Sequence, residues 1–312
     1  MIAFGPVPSR RLGRSLGLNH IPPKVCSYSC VYCQVGRTNR LRVARRAFFE
    51  PEEVWRAARA KVEQAQAAGE RIDYLTLVPD GEPTLDVNLG RLVALLHSLG
   101  RPIAVISNAS LLGHAEVRAE LRGADWVSLK VDAVEEAAWR RVNRPHGRLR
   151  LAAILDGVRE FAAAFPGRLV TETMLVAGVN DGAEQVQEVA RLLAQVRPAV
   201  SYLSVPTRPP AETWVRPPSE EVLNRAYQQV AAAVEHAELL VGSEGNAFAA
   251  TGDVAEDLLS IAAVHPLRRE AVERLLAGAG RDWSIVRRLL AQGRLVETDY
   301  AGQHFYLQRL EH

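Results

Sequence analysis

Cysteine is scarce in this 312-residue chain, and its three copies, Cys26, Cys30 and Cys33, fall within one eight-residue stretch. Both the count and the crowding exclude a disulfide scaffold and point to a ligand cluster. Long apolar runs are missing as well. No stretch of about 18 uncharged apolar residues occurs, as a membrane span would need, and the basic, proline-bearing residues 1–11 lack the apolar core of a signal peptide. The protein is therefore expected to be soluble and cytoplasmic, with no membrane partner. Acidic residues are absent from positions 1–49, which carry Arg10, Arg11, Arg14, Lys24, Arg37, Arg40, Arg42, Arg45 and Arg46. The formal net charge of +2 hides this asymmetry. An anion is expected near that segment, although a solvated basic surface accounts for part of it. Lysine is almost absent: apart from Lys24, Lys61 and Lys130, all of the 38 basic residues are arginine. Lys61 falls on a helix surface, and Lys24 and Lys130 mark either positions where a compact, titratable amine serves better than a guanidinium that stays charged, or chance survival.

What is present suits a folded chain. With 48% hydrophobic and 24% charged residues, disorder is excluded as the main theme, and one large domain with a small appendage is expected. Short β-rich apolar runs at 15–21, 74–78, 103–107, 126–131, 169–176 and 200–205 alternate with amphipathic stretches at 52–68, 89–99, 115–121, 135–142, 151–165, 184–196 and 220–237. Strands separated by helices need crossover connections, hence a parallel sheet buried on both faces. Six such units, with polar residues gathered just after the strands, predict an α/β fold of partial (β/α)6 barrel type with its site at the carboxyl ends of the strands. A flat doubly wound sheet is the alternative. The pattern lapses near 242–252, a linker signal, and places a domain boundary between 245 and 246. Beyond it, a helix begun by Pro266 and running to Leu276, a second helix capped by Asp282 and running to Leu290, and a hairpin around Asp299 predict a winged-helix-like domain over 246–312. From 253 to 312, arginines and acids nearly balance, so charge gives this module no support as a nucleic-acid binder.

The spacing Cys26-x3-Cys30-x2-Cys33 admits two metal readings. Three thiolates can hold three corners of a cubane iron–sulfur cluster, leaving the fourth iron open to an exogenous ligand because no other cysteine exists. Alternatively, zinc takes the three thiolates with His20 as fourth ligand.

With Tyr32 just before the last cysteine, this motif resembles the signature of radical S-adenosylmethionine (SAM) enzymes. The resemblance implies a single [4Fe–4S] cluster on the three cysteines, SAM bound to the open iron, reductive cleavage of SAM to a 5′-deoxyadenosyl radical, and hydrogen abstraction from a substrate. It also implies an electron donor such as flavodoxin or ferredoxin. Gly81-Glu82-Pro83-Thr84, after the second strand, is similar to the segment that holds the SAM amino group, with Asp80 in place of its first glycine. Ser107-Asn108 after the third strand and Asn180 after the fifth fall where the family places further SAM contacts, although such residues also serve as caps and turn formers. Gly5-Pro6-Val7-Pro8-Ser9-Arg10-Arg11-Leu12-Gly13, Pro22-Pro23-Lys24-Val25-Cys26, Cys33-Gln34-Val35-Gly36-Arg37-Thr38 and Asn143-Arg144-Pro145-His146 resemble the subgroup related to wyosine-base synthases, which modify a guanine of tRNA. This chain lacks the second cysteine set of true synthases, so the resemblance implies a radical enzyme of unassigned substrate, a tRNA base among the candidates.

Within that frame Lys24 and Arg37 stand nearest the cysteines and offset cluster and carboxylate charge. Glu82 suits an ammonium group, and Gly81 is expected to let the backbone approach SAM. Lys130 and Asp132 point the same way along a strand, with Ser128. They are read as an acid/base pair, with Lys130 also a potential imine-forming amine, or as an internal ion pair closing the barrel end. His146 is a proton donor or a loop cap. Glu172 is a substrate residue if it faces the barrel interior. Two further readings from other classes are a zinc-stabilised, nucleic-acid-binding winged-helix protein and an activase that places a radical on a partner protein.

Overall fold

The computed structural model describes residues 2–241, 253–264, 266–300 and 302–309. The linker and domain boundary expected within 242–252 lie outside the described residues.

The chain opens with an antiparallel hairpin, β1 (Ala3–Ser9) and β2 (Gly13–Leu18). A long loop follows, containing the two-residue parallel pair β3 (Val25–Cys26) and β4 (Arg40–Leu41). Helix α1 (Pro51–Ala67) starts with proline in its first turn beside Glu52 and Glu53, where φ and dipole both favour them. It buries Val54, Ala58, Val62 and Ala65, one face at helical spacing. Strand–helix units follow in order: β5 (Tyr74–Leu77), α2 (Leu89–Leu96), β6 (Ile103–Ser107), α3 (Ala115–Leu121), β7 (Trp126–Lys130), α4 (Glu136–Asn143), α5 (Leu151–Ala164), β8 (Arg168–Met174), α6 (Ala183–Val196), β9 (Val200–Ser204), α7 (Glu220–Ala231) and β10 (Ala237–Leu240).

All but the two short loop strands form one eight-stranded sheet in the order β1-β2-β5-β6-β7-β8-β9-β10, parallel from β2 onward. The six expected strands are its interior. The two edge strands are additions: β10 begins at Ala237, where the expected 220–237 helix was to end, and that helix stops at Ala231. The order is open, with β1 and β10 at its ends. Alternation divides the sheet into two faces. Leu75, Leu77, Val105, Val127 and Leu129 join the large core under the helices, whereas Ala104, Trp126, Val170, Val200 and Tyr202 form a separate concave cluster. Leu12, from the β1–β2 turn, is buried in that concave cluster together with Leu240. Neighbouring Arg10 donates to the carbonyl of Val241, just past the far edge strand, at 2.8 Å.

The C-terminal part comprises α8 (Val254–Val264), β11 (Leu267–Arg268), α9 (Arg269–Gly278), α10 (Ser284–Ala291), β12 (Leu295–Tyr300) and β13 (Gln303–Gln308), with sheet order β11-β13-β12. The expected 266–276 helix begins only at Arg269, because Leu267 and Arg268 pair with Tyr306 and Phe305. Asp282 accepts from the Ser284 amide at 2.7 Å, at the start of α10 as expected. This part has its own core, which also takes in Val7 of β1. It meets the barrel through the Lys61–Asp257 ion pair and a Tyr300 hydroxyl bond to the Pro206 carbonyl at 3.3 Å. No helix among the described residues is long and apolar enough to cross a membrane.

Candidate functional site

The three cysteines lie on the loop that leaves the carboxyl end of β2. Pairing of β3 with β4 fixes Cys26, whose carbonyl accepts from Arg42 N at 2.8 Å, and Cys33 N donates to Cys30 O at 3.1 Å. The segment after α4 clamps the loop from one side: Ser29 N donates to Asn143 O, Val31 N to Val142 O, and His146 N to Ser27 O, at 2.9–3.0 Å. From the other side Glu212 N donates to Val31 O at 3.1 Å. The Glu212 carboxylate receives Arg37 in a two-pronged pair at 2.8 and 2.9 Å, and also Arg144. Arg37 holds its pKa below the ordinary range, with Arg144 adding to the effect.

All three thiols are free and half-buried. Burial is the main reason their pKa values rise, Cys30 to about 12, and Cys26 and Cys30 also feel the charge of Cys33. Thiols so placed stay neutral until a cationic group arrives to stabilise their thiolates. Among the described residues, no three His, Cys, Asp or Glu side chains converge as a single ion requires. That does not suit tetrahedral zinc, whose ligands sit on one centre. A cubane places its thiolates on different irons, so three free thiols on one short loop fit it without sharing a centre. His20 is fully buried, its Nε2 is 3.3 Å from the Pro83 carbonyl, and burial lowers its pKa to about 4.

Gly81 presses against the cysteine loop itself. A Cβ there would stand 2.0 Å from the carbonyl oxygen of Val25, which accepts Glu82 N at 3.1 Å. The expected close approach is therefore to the chain's own backbone. Glu82, 1% exposed, takes hydrogen bonds on Oε1 from Thr84 N, Thr84 Oγ1 and Ser107 Oγ, and on Oε2 from Asn108 N. Burial raises its pKa against the pull of those donors. It ties the end of β5 to the end of β6. Asn108 continues the chain of contacts, donating to Ser27 Oγ at 2.9 Å and to Cys26 Sγ at 3.5 Å. Asp80, where the family motif has glycine, keeps an ordinary φ, and the left-handed conformation falls on Lys24 instead, at φ 63°. Burial lifts the Asp80 pKa to about 7 with Lys24 opposing, and burial likewise lowers that of Lys24.

Asp132 does not pair with Lys130. Its Oδ2 accepts from the Tyr32 hydroxyl and from Asn143 Nδ2 at 2.7 Å, and its Oδ1 from Met174 N at 2.8 Å. Asn143 Nδ2 also lies 3.4 Å from Cys30 Sγ. Asp132 thus anchors Tyr32 of the cysteine loop directly, and Cys30 through Asn143 at the end of α4. Asn180 spends its amide on the backbone at Val176, Asp132 and Met174, clasping the turn after β8. His146 accepts from Arg148 N at 3.2 Å, the loop-capping alternative.

Lys130 pairs instead with Glu172 at 3.0 Å, and Arg11 binds the other oxygen of that carboxylate at 2.5 Å. Burial opposes both charges. Glu172 and Asp132 nevertheless hold the Lys130 ammonium above its ordinary pKa, and Lys130 followed by Arg11 holds Glu172 down to about 2. The Lys130 ammonium also stands 5.1 Å from the Tyr32 ring centre. These residues line a concave cavity of about 340 Å3, whose wall includes Cys33, Asp80, Ile106, Met174 and Ser204. Tyr32, Cys33 and Lys130 share that wall, whereas Asp132, His146, Glu82 and Asn108 do not line it. Glu172 faces the interior. The roles of Arg11, Asn143 and Glu212 were not singled out from the sequence, because each partner lies on a distant element.

The family model described as the Radical SAM superfamily matches residues 21–193. A UPF0026 protein of Methanocaldococcus jannaschii is 42% identical over 312 residues, covering 99% of this chain and 97% of its own. Two solved structures share the fold. SuiB of Streptococcus suis bound to S-adenosylmethionine gives a TM-score of 0.53 at 13% identity, covering 73% of this chain and 51% of that one. TYW1 with a lysine-pyruvate adduct gives 0.51 at 18% identity, covering 74% and 77%.

Proposed function

The chain belongs to the Radical SAM superfamily, and from that premise we propose that it is a single-cluster enzyme acting by hydrogen abstraction on a substrate held in the concave cavity. The carrying observation is the loop of three free thiols that opens onto that cavity through Cys33, in a chain with no fourth cysteine. The family's cofactors are a [4Fe–4S] cluster and SAM. When bound and supplied with an electron by a donor such as flavodoxin or ferredoxin, they furnish reductive cleavage of SAM and a 5′-deoxyadenosyl radical.

The chain's own residues position and enclose. Cys26, Cys30 and Cys33 hold the cluster, with Asn108 and Asn143 offering N–H groups to the first two sulfurs, a contact that favours thiolate over thiol. Gly81, Glu82, Pro83, Ser107 and Asn108 form a rigid ledge at the ends of β5 and β6, and Lys24 adds a cation beside Cys33. Tyr32, braced by Asp132, closes the wall between the cysteines and Lys130. Lys130, kept protonated by Glu172, acts as a cation and proton donor; imine formation would first require loss of that pair.

Anaerobic reconstitution followed by a 5′-deoxyadenosine assay tests this reading, with unmodified tRNA among the candidate substrates. A brown protein that releases 5′-deoxyadenosine under a low-potential reductant is expected. A colourless protein that retains tightly held zinc would refute it.

A further inference from the structure

Inside the barrel, two cations share one anion. Arg11 and Lys130 both bind Glu172, and that carboxylate's remaining partner is the Ser204 hydroxyl at 3.0 Å. Burying a charge is costly unless it is paired, and on this wall the two cations have one bonded carboxylate between them, with Asp132, off the wall, a further counter-charge to Lys130. The other charged residues on the wall, Arg10, Arg208 and Asp80, do not reverse the balance. Within the triad, Nε of Arg11 is buried and lacks any partner. Ser128, two residues before Lys130 on β7, also carries a buried, unpartnered Oγ but does not line the cavity. Buried polar groups left unmade are exceptions that ask for an acceptor.

We propose that this floor is an oxyanion subsite, which receives the carboxylate or phosphate of a compact acidic substrate. The inference rests on the reading of the cavity as the substrate chamber. A guanidinium already locked by Glu172 presents its remaining donors in a fixed plane, suited to carboxylate and phosphate oxygens, while the ammonium supplies a second point of contact. Glu172 is the orienting group for both cations. Apolar Val78, Ile106, Met174 and Val205 also line the wall and strengthen charge pairing by lowering the local dielectric. About 340 Å3 is near the lower limit of small-molecule pockets, which selects a compact molecule.

The test measures binding of inorganic phosphate and of acetate to the full-length protein by titration calorimetry, with SAM affinity of the reconstituted protein measured separately. Removing one charged hydrogen-bond donor, as in Arg11→Gln, should raise the dissociation constant of the preferred oxyanion roughly 10- to 100-fold and leave SAM affinity within about twofold. Glu172→Gln, which removes the competing anion, should tighten oxyanion binding. A variant that merely disordered the chamber would weaken it, so the opposite signs separate electrostatics from misfolding. Preference between the two probes identifies the acid. Unchanged oxyanion binding in Arg11→Gln, or weaker binding in a folded Glu172→Gln, overturns the subsite. A parallel loss of SAM affinity in Arg11→Gln would assign the floor to the SAM carboxylate and overturn it as well. These binding results stand whether or not 5′-deoxyadenosine forms, so the subsite and the proposed function fail separately.

Discussion

Replacing Gly81 by alanine tests how the cysteine loop is seated. The new Cβ would lie 2.0 Å from Val25 O and 3.0 Å from Val25 C, both backbone atoms that cannot swing aside as a side chain can. Overpacking of this kind costs about 1–3 kcal/mol. Relief by moving β3 away also breaks the bond from Glu82 N to Val25 O, leaving a buried donor at a cost of about 1–3 kcal/mol. The expected destabilisation is thus about 2–6 kcal/mol, a fall in melting temperature of at least about 5 °C for a domain of this size. The control is Gly147→Ala, with no atom within 4 Å of the added carbon and no left-handed φ, expected within about 0.5 kcal/mol of the parent. Thermal and urea denaturation of both variants, with iron content after reconstitution, decide the matter. If Gly81→Ala matched Gly147→Ala in stability and iron uptake, the claim that this glycine seats the cysteine-bearing strand would be wrong.

Iron analysis of the reconstituted parent should give about four atoms per chain, each single Cys→Ser variant at 26, 30 or 33 should lose most of it, and eight atoms would refute a single cluster. Asp132→Ala leaves the Tyr32 hydroxyl, Asn143 amide and Met174 N–H buried without their shared acceptor, an expected loss of about 1–3 kcal/mol for each donor that finds no other partner. Asp132→Asn keeps the shape and should retain part of it, as urea midpoints would show. His20, neutral in the fold with a pKa of about 4 against 6.5 unfolded, binds its proton more readily when unfolded. Its contribution therefore leaves the fold unpenalised above pH 6.5 and subtracts about 3 kcal/mol as pH falls from 6.5 to 4. The stability difference between parent and His20→Asn should narrow over that window, and a pH-independent difference would contradict the buried neutral imidazole.

The interior strands were legible because each is an apolar run bracketed by helical periodicity, and the cysteine loop because its spacing is compact. The edges were not. β1 contains Pro6 and Pro8, which read against a strand although an edge tolerates a residue that cannot donate. β10, Ala-Glu-Leu-Leu, is short enough to pass for the end of a helix. Within the site, alternation along β7 predicts Lys130 and Asp132 on one side, but the strand ends at Lys130 and only Lys130 lines the cavity, and spacing says nothing about which distant group reaches either. Lys130 finds Glu172 one strand away, and Asp132 is taken up by Tyr32 and Asn143. Glu212 sits in the proline-rich segment after β9, where no periodicity marks it, and only the folded chain brings it to Arg37 and Arg144.

Leu12, folded into the concave cluster from the β1–β2 turn, acts as a stopper at the barrel's base. Its side chain packs against Trp126, Val170 and Val200 at the amino-terminal ends of the central strands, so solvent approaching the chamber from that side meets apolar packing first. Shaving that stopper, as in Leu12→Ala, would open a rear leak and should show first as solvent hydrogen appearing in the product.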